Sequence, residues 1–253
     1  MSNFDKDNKS YNELIHGKKI SQADPELIWG WKTSAGRRRV KRRAQLITES
    51  AKLSKGMLVL EIGCGTGVFT QIFAASGAKI VAVDISKELL DLAMEKQLPE
   101  EQVQFLEKRF EDCADIGPFD AVIGSSILHH LDIESALKKI YQLLKPEGMI
   151  SFTEPNMLNP QIALQKNIPW IKKRMGDSPD ETAFFRWRIR NWLENAGFIN
   201  VQTIPFDWLH PATPAKLISA IEKTGLFLEK IPIIRAFAGS LLINAKKQGK
   251  IIN

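Results

Sequence analysis

Cysteine is nearly absent from this chain, with two in 253 residues, Cys64 and Cys113. One sits in a glycine-rich stretch and the other in an acidic turn, which leaves neither a disulfide framework nor a zinc quartet. A reducing, cytoplasmic setting is therefore expected. No apolar run approaches the ~20 residues that span a bilayer, and the first residues carry no signal-peptide pattern. Internal repeats and low-complexity segments are missing too. Histidine is scarce, at four residues: His16, His129, His130 and His210. Surplus charge is missing from all but one place. The chain holds 35 Lys and Arg against 29 Asp and Glu, and the whole excess lies in the six cations of residues 37–43, Arg-Arg-Arg-Val-Lys-Arg-Arg. The length suits one α/β domain with an elaboration, long enough to bury a core without cross-links.

What the chain does have is concentrated at residues 57–67, Met-Leu-Val-Leu-Glu-Ile-Gly-Cys-Gly-Thr-Gly. The apolar run 57–62 predicts a buried parallel strand. Glycine then occupies every second position, at Gly63, Gly65 and Gly67, and residues 68–75 read as the first turns of a helix. Glycine tolerates positive φ and has no Cβ, so such a loop turns tightly and lets a ligand touch its backbone. Strand, loop and helix make a nucleotide-type cleft at the carboxyl edge of a parallel sheet. The dinucleotide fingerprint G-x-G-x-x-G does not fit, because Val68 stands at its third glycine. Glu61 would repel a pyrophosphate and suits a ligand carrying an ammonium or sulfonium group.

The pattern E-I-G-C-G-T-G closely resembles the first motif of class I S-adenosylmethionine-dependent methyltransferases. That resemblance implies S-adenosylmethionine as cofactor, held by Glu61, Gly63, Cys64, Gly65 and Gly67. It also implies an α/β, Rossmann-like fold of seven mostly parallel strands with helices on both faces and the last strand antiparallel. A second apolar strand, 79–83, ends on Asp84, placed 17 residues after Gly67 to accept the ribose hydroxyls. Ser86 can cap the following helix in its stead, and by resemblance Ile85 packs against the adenine. After the strand at 103–106 the family places an aspartate for the adenine amino group. Arg109 cannot accept such a bond, so the backbone around Phe110, or Glu111 or Asp112 from a shifted register, is expected there. Strand 119–124 runs into Ser125-Ser-Ile-Leu-His-His-Leu131, similar to the family's L-H-H-L segment, with Ser125 bordering the cofactor. A helix over 133–144, the turn Lys145-Pro-Glu-Gly148 and a strand over 149–153 complete this half.

Within residues 34–53, Val40, Ala44, Ile47 and Ala51 fall at helical spacing, so the cations ride a helix that docks by a narrow stripe. Arg43 flanks that stripe. In ubiquinone-pathway O-methyltransferases a similarly placed arginine holds the cofactor's methionine carboxylate, a role open here to Arg43 or Arg39. The segments E-P-N-x-x-N-P, D-E-T-A-F and L-H-P-A-T-P resemble type 11/12-like bacterial methyltransferases. The expected layout is a single domain: a tail and basic helix at 1–55, the cofactor core at 56–154, a helical lid insertion over the acceptor at 155–190, and the rest of the sheet at 191–246.

The implied activity is methyl transfer to a hydroxyl of a small molecule, sugar or lipid-linked intermediate. A hydroxyl must lose its proton, and histidine suits that work near neutral pH. The candidate bases are His129 and His130, which a helix starting at 127 would point about a hundred degrees apart, and then His210. Three other classes stay open. An N-methyltransferase would hold an amine by cation–π attraction on Trp170, Phe184, Phe185, Trp187 or Trp208. An RNA methyltransferase would use the basic helix, although no nucleic-acid module is visible and nucleic acid is not the expected partner. A non-catalytic cofactor-binding subunit is the third. Peripheral membrane contact through the basic helix stays open, and His129-His130-x-Asp132 is not the spacing of a metal site.

Overall fold

The computed structural model describes residues 14, 15, 17–174 and 182–249. His16 and the Asp180-Glu181 start of the D-E-T-A-F segment lie outside these residues. A short helix, α1 (Pro25–Ile28), leads into the basic helix α2 (Ser34–Ser50). The central run is β1 (Leu58–Ile62), α3 (Thr70–Ala74), β2 (Lys79–Asp84), α4 (Lys87–Met94), β3 (Val103–Glu107), β4 (Phe119–Ser125), α5 (Ile133–Leu143) and β5 (Leu144–Pro155). Two helices follow, α6 (Pro160–Asn167) and α7 (Pro169–Arg174). The chain then forms α8 (Arg186–Asn195), β6 (Phe198–Phe206), α9 (Ile218–Leu228), α10 (Pro232–Arg235) and β7 (Ser240–Lys247).

Seven strands form one sheet in the order β3-β2-β1-β4-β5-β7-β6. The first five pair in parallel, and β7 runs antiparallel to β5 and β6. Period-two alternation explains why the central strands read as unbroken apolar runs: both faces are covered. Leu60, Val81, Val83 and Val122 pack on one side with Leu137, Ile140 and Leu193. Val59, Ile80, Ala82 and Ile123 pack on the other with Ile47 and Phe73. The predicted stripe on α2 is this second layer's lid on the sheet, with Val40, Ala44, Ile47 and Ala51 all buried. Burying a Val or Ile fully is worth about 1.5–3 kcal/mol, enough to seat the cationic helix despite its charge. Thr33 caps its start by accepting from the Gly36 N–H at 2.9 Å, and Ser86 caps α4 through the Leu89 N–H.

Two local expectations are corrected. The turn at 145–148 does not precede a separate strand; it is a bulge inside β5, where Leu144 pairs with Phe119 and Met149 with Ala121. Lys145 pins it to Asp120 at 2.8 Å. The residues after β4 form a three-residue 3₁₀ turn, Leu128–His130, instead of a helix starting at 127. The strand order reverses between β1 and β4, so the crevice above their carboxyl ends is where such a sheet takes a ligand.

Candidate cofactor and acceptor site

The loop after β1 is held open as a cradle. Gly63, Gly65 and Gly67 all have positive φ, at 65°, 53° and 72°, which other residues adopt only under strain. The Gly63 and Cys64 N–H groups both donate to Val83 O, at 2.8 and 3.1 Å, so the loop is tied to the end of β2. Space is as tight as the dihedrals. A Cβ on Gly63 would lie 2.5 Å from Ile127 Cδ1. Cys64 is buried, and burial pushes its thiol well above the ordinary range.

Asp84 closes the loop from β2. Its Oδ2 accepts from the Gly65 N–H at 2.8 Å and its Oδ1 from the Ser86 N–H at 2.9 Å. Ile85 follows, half-buried at the same edge. At the end of β3, Phe110 turns its ring into the core, leaving its backbone at the edge, while Glu111 is half-buried beside Arg109 at 3.7 Å.

Glu61, at the end of β1, is a buried carboxyl. It is 2 % exposed, and its Oε2, like Thr70 Oγ1 nearby, has no hydrogen-bond partner of good geometry. Burial raises its carboxyl to about 8, with Thr70 offsetting part of the rise and the Asp84 charge adding to it. A ligand bringing an ammonium or sulfonium group here would pull it back toward ionisation. At pH 7, binding of S-adenosylmethionine should therefore release about one proton, read by calorimetry in buffers of different ionisation enthalpy, and Glu61→Gln should abolish the release. In the ligand-free protein the sign is also fixed. A carboxyl whose folded value is raised stabilises the fold below its unfolded value of 4.5, and that contribution is lost as pH rises through about 8.

Across the crevice, the end of β4 is organised by a residue that sequence reasoning did not single out. Glu154, fully buried on β5, accepts from the Ile127 and Leu128 N–H groups at 2.9 and 2.8 Å. Its other oxygen meets His129 Nδ1 at 2.6 Å. The signal available in the sequence was an acid directly after the strand expected over 149–153. Ser126, at φ 58°, donates its N–H to Thr153 O at 2.7 Å, and Ser125 Oγ lies 2.9 Å from Thr153 Oγ1. The imidazoles do not diverge as a helix would make them: the His129 and His130 ring centroids are 4.1 Å apart. His129 is buried and His130 half-buried. His210 stands apart on the loop after β6, its Nδ1 accepting from the Ala212 N–H at 3.1 Å. Burial, then Arg39, hold its pKa below the ordinary value.

Of the basic helix, one residue enters the site. Arg43 is 3 % exposed, with Nη1 3.3 Å from Ser126 Oγ and Nη2 bonded to Ser240 Oγ. Burial, then Arg39, lower its guanidinium to about 10, opposed by Asp207 and Glu154. Arg39 is engaged by Asp207 at 2.8 Å instead. Although burial would raise the Asp207 carboxyl, Arg39 and Arg43 more than offset it and hold it below its usual value. Arg42 grips Glu229 with both terminal nitrogens and Arg38 reaches Glu222 at 3.6 Å. Most of the cluster is thus spent on intramolecular acids. Between α2 and α9, at the β6 end of the edge, lies a cavity of about 210 Å³ lined by Arg39, Arg42, Trp208, Leu209 and Ile221.

The aromatic side chains expected to embrace an amine are dispersed. Phe184 packs in the core with Trp192, Phe185 stacks on Trp187, Trp208 lies against Gly225, and Trp170 is 66 % exposed. Among the described residues no group of three His, Cys, Asp or Glu is placed to hold a metal.

Residues 25–31 were expected to be tail and instead cover the glycine loop. Glu26 Oε1 accepts from Thr66 Oγ1 and from Lys96 Nζ, both at 2.9 Å. The Trp29 ring lies 3.5 Å from where a Cβ on Gly65 would be. The legible sign was Asp24-Pro25, a cap followed by proline at the first helical position.

Known proteins share stretches of this sequence and its fold. Residues 60–150 match the methyltransferase domain family. An uncharacterized methyltransferase-like protein of Schizosaccharomyces pombe is 27 % identical over 191 residues, 74 % of this chain and 71 % of the relative. The mitochondrial ubiquinone biosynthesis O-methyltransferase of Mus musculus is 25 % identical over 70 % of this chain, which spans only 43 % of that protein. Among solved structures, a SAM-dependent methyltransferase from Archaeoglobus fulgidus superimposes with a TM-score of 0.62 at 20 % identity, covering 88 % of this chain and 100 % of that one. The N-methyltransferase NodS from Bradyrhizobium japonicum, in complex with S-adenosyl-L-homocysteine, gives 0.62 at 14 % identity over 93 % and 98 %. At these identities the structural likeness is one of fold.

Proposed function

Since the chain carries a class I S-adenosylmethionine-dependent methyltransferase domain, we propose that it transfers the methyl group to a hydroxyl oxygen of a small-molecule, sugar or lipid-linked acceptor. The observation that carries this reading is the buried contact between Glu154 and His129 at 2.6 Å, beside the turn that follows β4. A carboxylate on Nδ1 favours the neutral tautomer with its proton there, which leaves Nε2 as the acceptor of a hydroxyl proton. His130, less buried and in ring contact with His129, lines the acceptor side; His210 is the third candidate.

The cofactor, where bound, supplies a methyl already activated on a sulfonium. The chain's task is alignment, proton removal and exclusion of water. In this reading the backbone of Gly63, Cys64, Gly65 and Gly67 cradles the cofactor, Glu61 meets its positive end, and Asp84 takes the ribose hydroxyls. Ile85 packs on the adenine, the Phe110 backbone or Glu111 reads its amino group, and Ser125 borders the methyl-bearing end. Arg43 grips the carboxylate. Residues 155–190 serve as a lid over the acceptor, stitched at its base by the bridge between Asn156 and Phe184. A reducing, cytoplasmic setting suits the two buried thiols.

The test is incubation with methyl-labelled cofactor and matched pairs of acceptors that differ only in bearing a hydroxyl or an amine. Label is expected in an alkali-stable ether on the hydroxyl member. Label confined to the amines would overturn the oxygen assignment, and cofactor binding without turnover on any acceptor would favour a non-catalytic subunit.

A further inference from the structure

The most exposed apolar surface of the described chain lies on α9 and α10, away from the glycine loop. Leu226 and Phe227 are 50 % and 61 % exposed, Ile233 80 % and Phe237 43 %. Side chains of this size left in water over two consecutive helices mark an interaction surface. The charges around them are of one sign. Between residues 214 and 238 the only acids are Glu222 and Glu229, and both are turned inward onto α2, Glu222 to Arg38 and Glu229 to Arg42. Lys223 on α9, and Lys216 and Lys230 just before and after it, are exposed. The neighbouring Arg37 and Lys41 of α2 are exposed as well.

We propose that the face formed by α9 and α10 docks the protein on an anionic lipid bilayer, with Phe227, Ile233 and Phe237 entering the interface and Lys216, Lys223 and Lys230 meeting headgroup phosphates. Apolar side chains flanked by lysines are the chemistry of an interfacial helix, and each cation near an anionic surface adds about 1 kcal/mol, or about fivefold in partitioning. A second copy fits the face poorly, because a two-fold contact would set the lysine rows against each other. The placement also serves the site. Asn156 Nδ2 donates to Ala236 O and Ala238 O, and Asn159 Nδ2 to Phe237 O, at 2.7–2.9 Å. The face is thus joined to the root of the segment 155–190 and to Ser240, which holds Arg43. Docking there presents the carboxyl edge of the sheet toward the lipid. The inference holds whichever acceptor is used, since its test reads lipid partitioning and not turnover.

Full-length protein is floated with vesicles of phosphatidylcholine alone or with one quarter phosphatidylglycerol. Binding to the anionic vesicles only, falling with salt, is expected. Lys216→Gln, Lys223→Gln and Lys230→Gln combined should lower it by about 100-fold, and Phe227→Asp with Ile233→Asp by at least about 10-fold. Both variants should keep their affinity for S-adenosylmethionine, which shows them folded. Failure of the native protein to bind anionic vesicles, or equal binding by the variants, would overturn the proposal. So would light scattering that shows a dimer which Phe227→Asp with Ile233→Asp dissolves, or binding to polyglutamate that matches the vesicles and ignores Phe227 and Ile233.

Discussion

Asp84→Ala should weaken S-adenosylmethionine binding by about 10²–10⁴-fold while circular dichroism stays native. The size follows from what the carboxylate does. It orders the loop through the Gly65 and Ser86 N–H groups, and in the proposed site it accepts from the ribose. Hydrogen bonds to a charged group are worth about 1.5–3 kcal/mol each, so losing two gives ~3–6 kcal/mol, the stated range. Gly65→Val reaches the same end by another route, forcing a β-branched side chain to adopt φ near 53° under the Trp29 ring. Calorimetry showing near-normal affinity in both variants would remove Asp84 and the loop from the cofactor site.

His129→Ala should lower turnover by about 10²–10⁴-fold with cofactor affinity intact, and Glu154→Gln should lower it through the loss of the carboxylate on Nδ1. His130→Ala and His210→Ala should cost less. Because a structural defect would also slow the enzyme, the pH profile decides. The rise in turnover with pH that a histidine base imposes as it loses its proton should be present in the native protein and vanish in His129→Ala. An amine acceptor can mimic that rise by losing its own proton, so it is measured on the hydroxyl acceptor. If all three histidine variants keep most of their turnover, base catalysis by histidine is wrong.

Much of this arrangement could be read from the residues because its physics is local. Short runs of apolar residues bounded by glycine suit strands covered on both faces, and Val40, Ala44, Ile47 and Ala51 point one way on any α-helix. The glycine loop and Asp84 were legible for the same reason. Contacts across strands were not. Glu154 reaches His129 because β5 lies beside β4, and a separation of 25 positions leaves no periodic trace of that pairing. The choice between Arg39 and Arg43 depended on Asp207, 168 positions from Arg39. The histidine turn was misjudged because a three-residue 3₁₀ turn and the first turn of an α-helix look alike in local propensity.

Trp29 and Glu26 give the glycine loop a history as well as a shape. One carboxylate oxygen holds both Thr66 and Lys96, and Trp31 meets Phe69 edge-on, so the strap is pinned on both sides of Trp29. If the Gly65 backbone meets the cofactor, as proposed, the indole overlies the same spot, and Trp29→Ala should speed cofactor arrival and departure alike in stopped-flow binding.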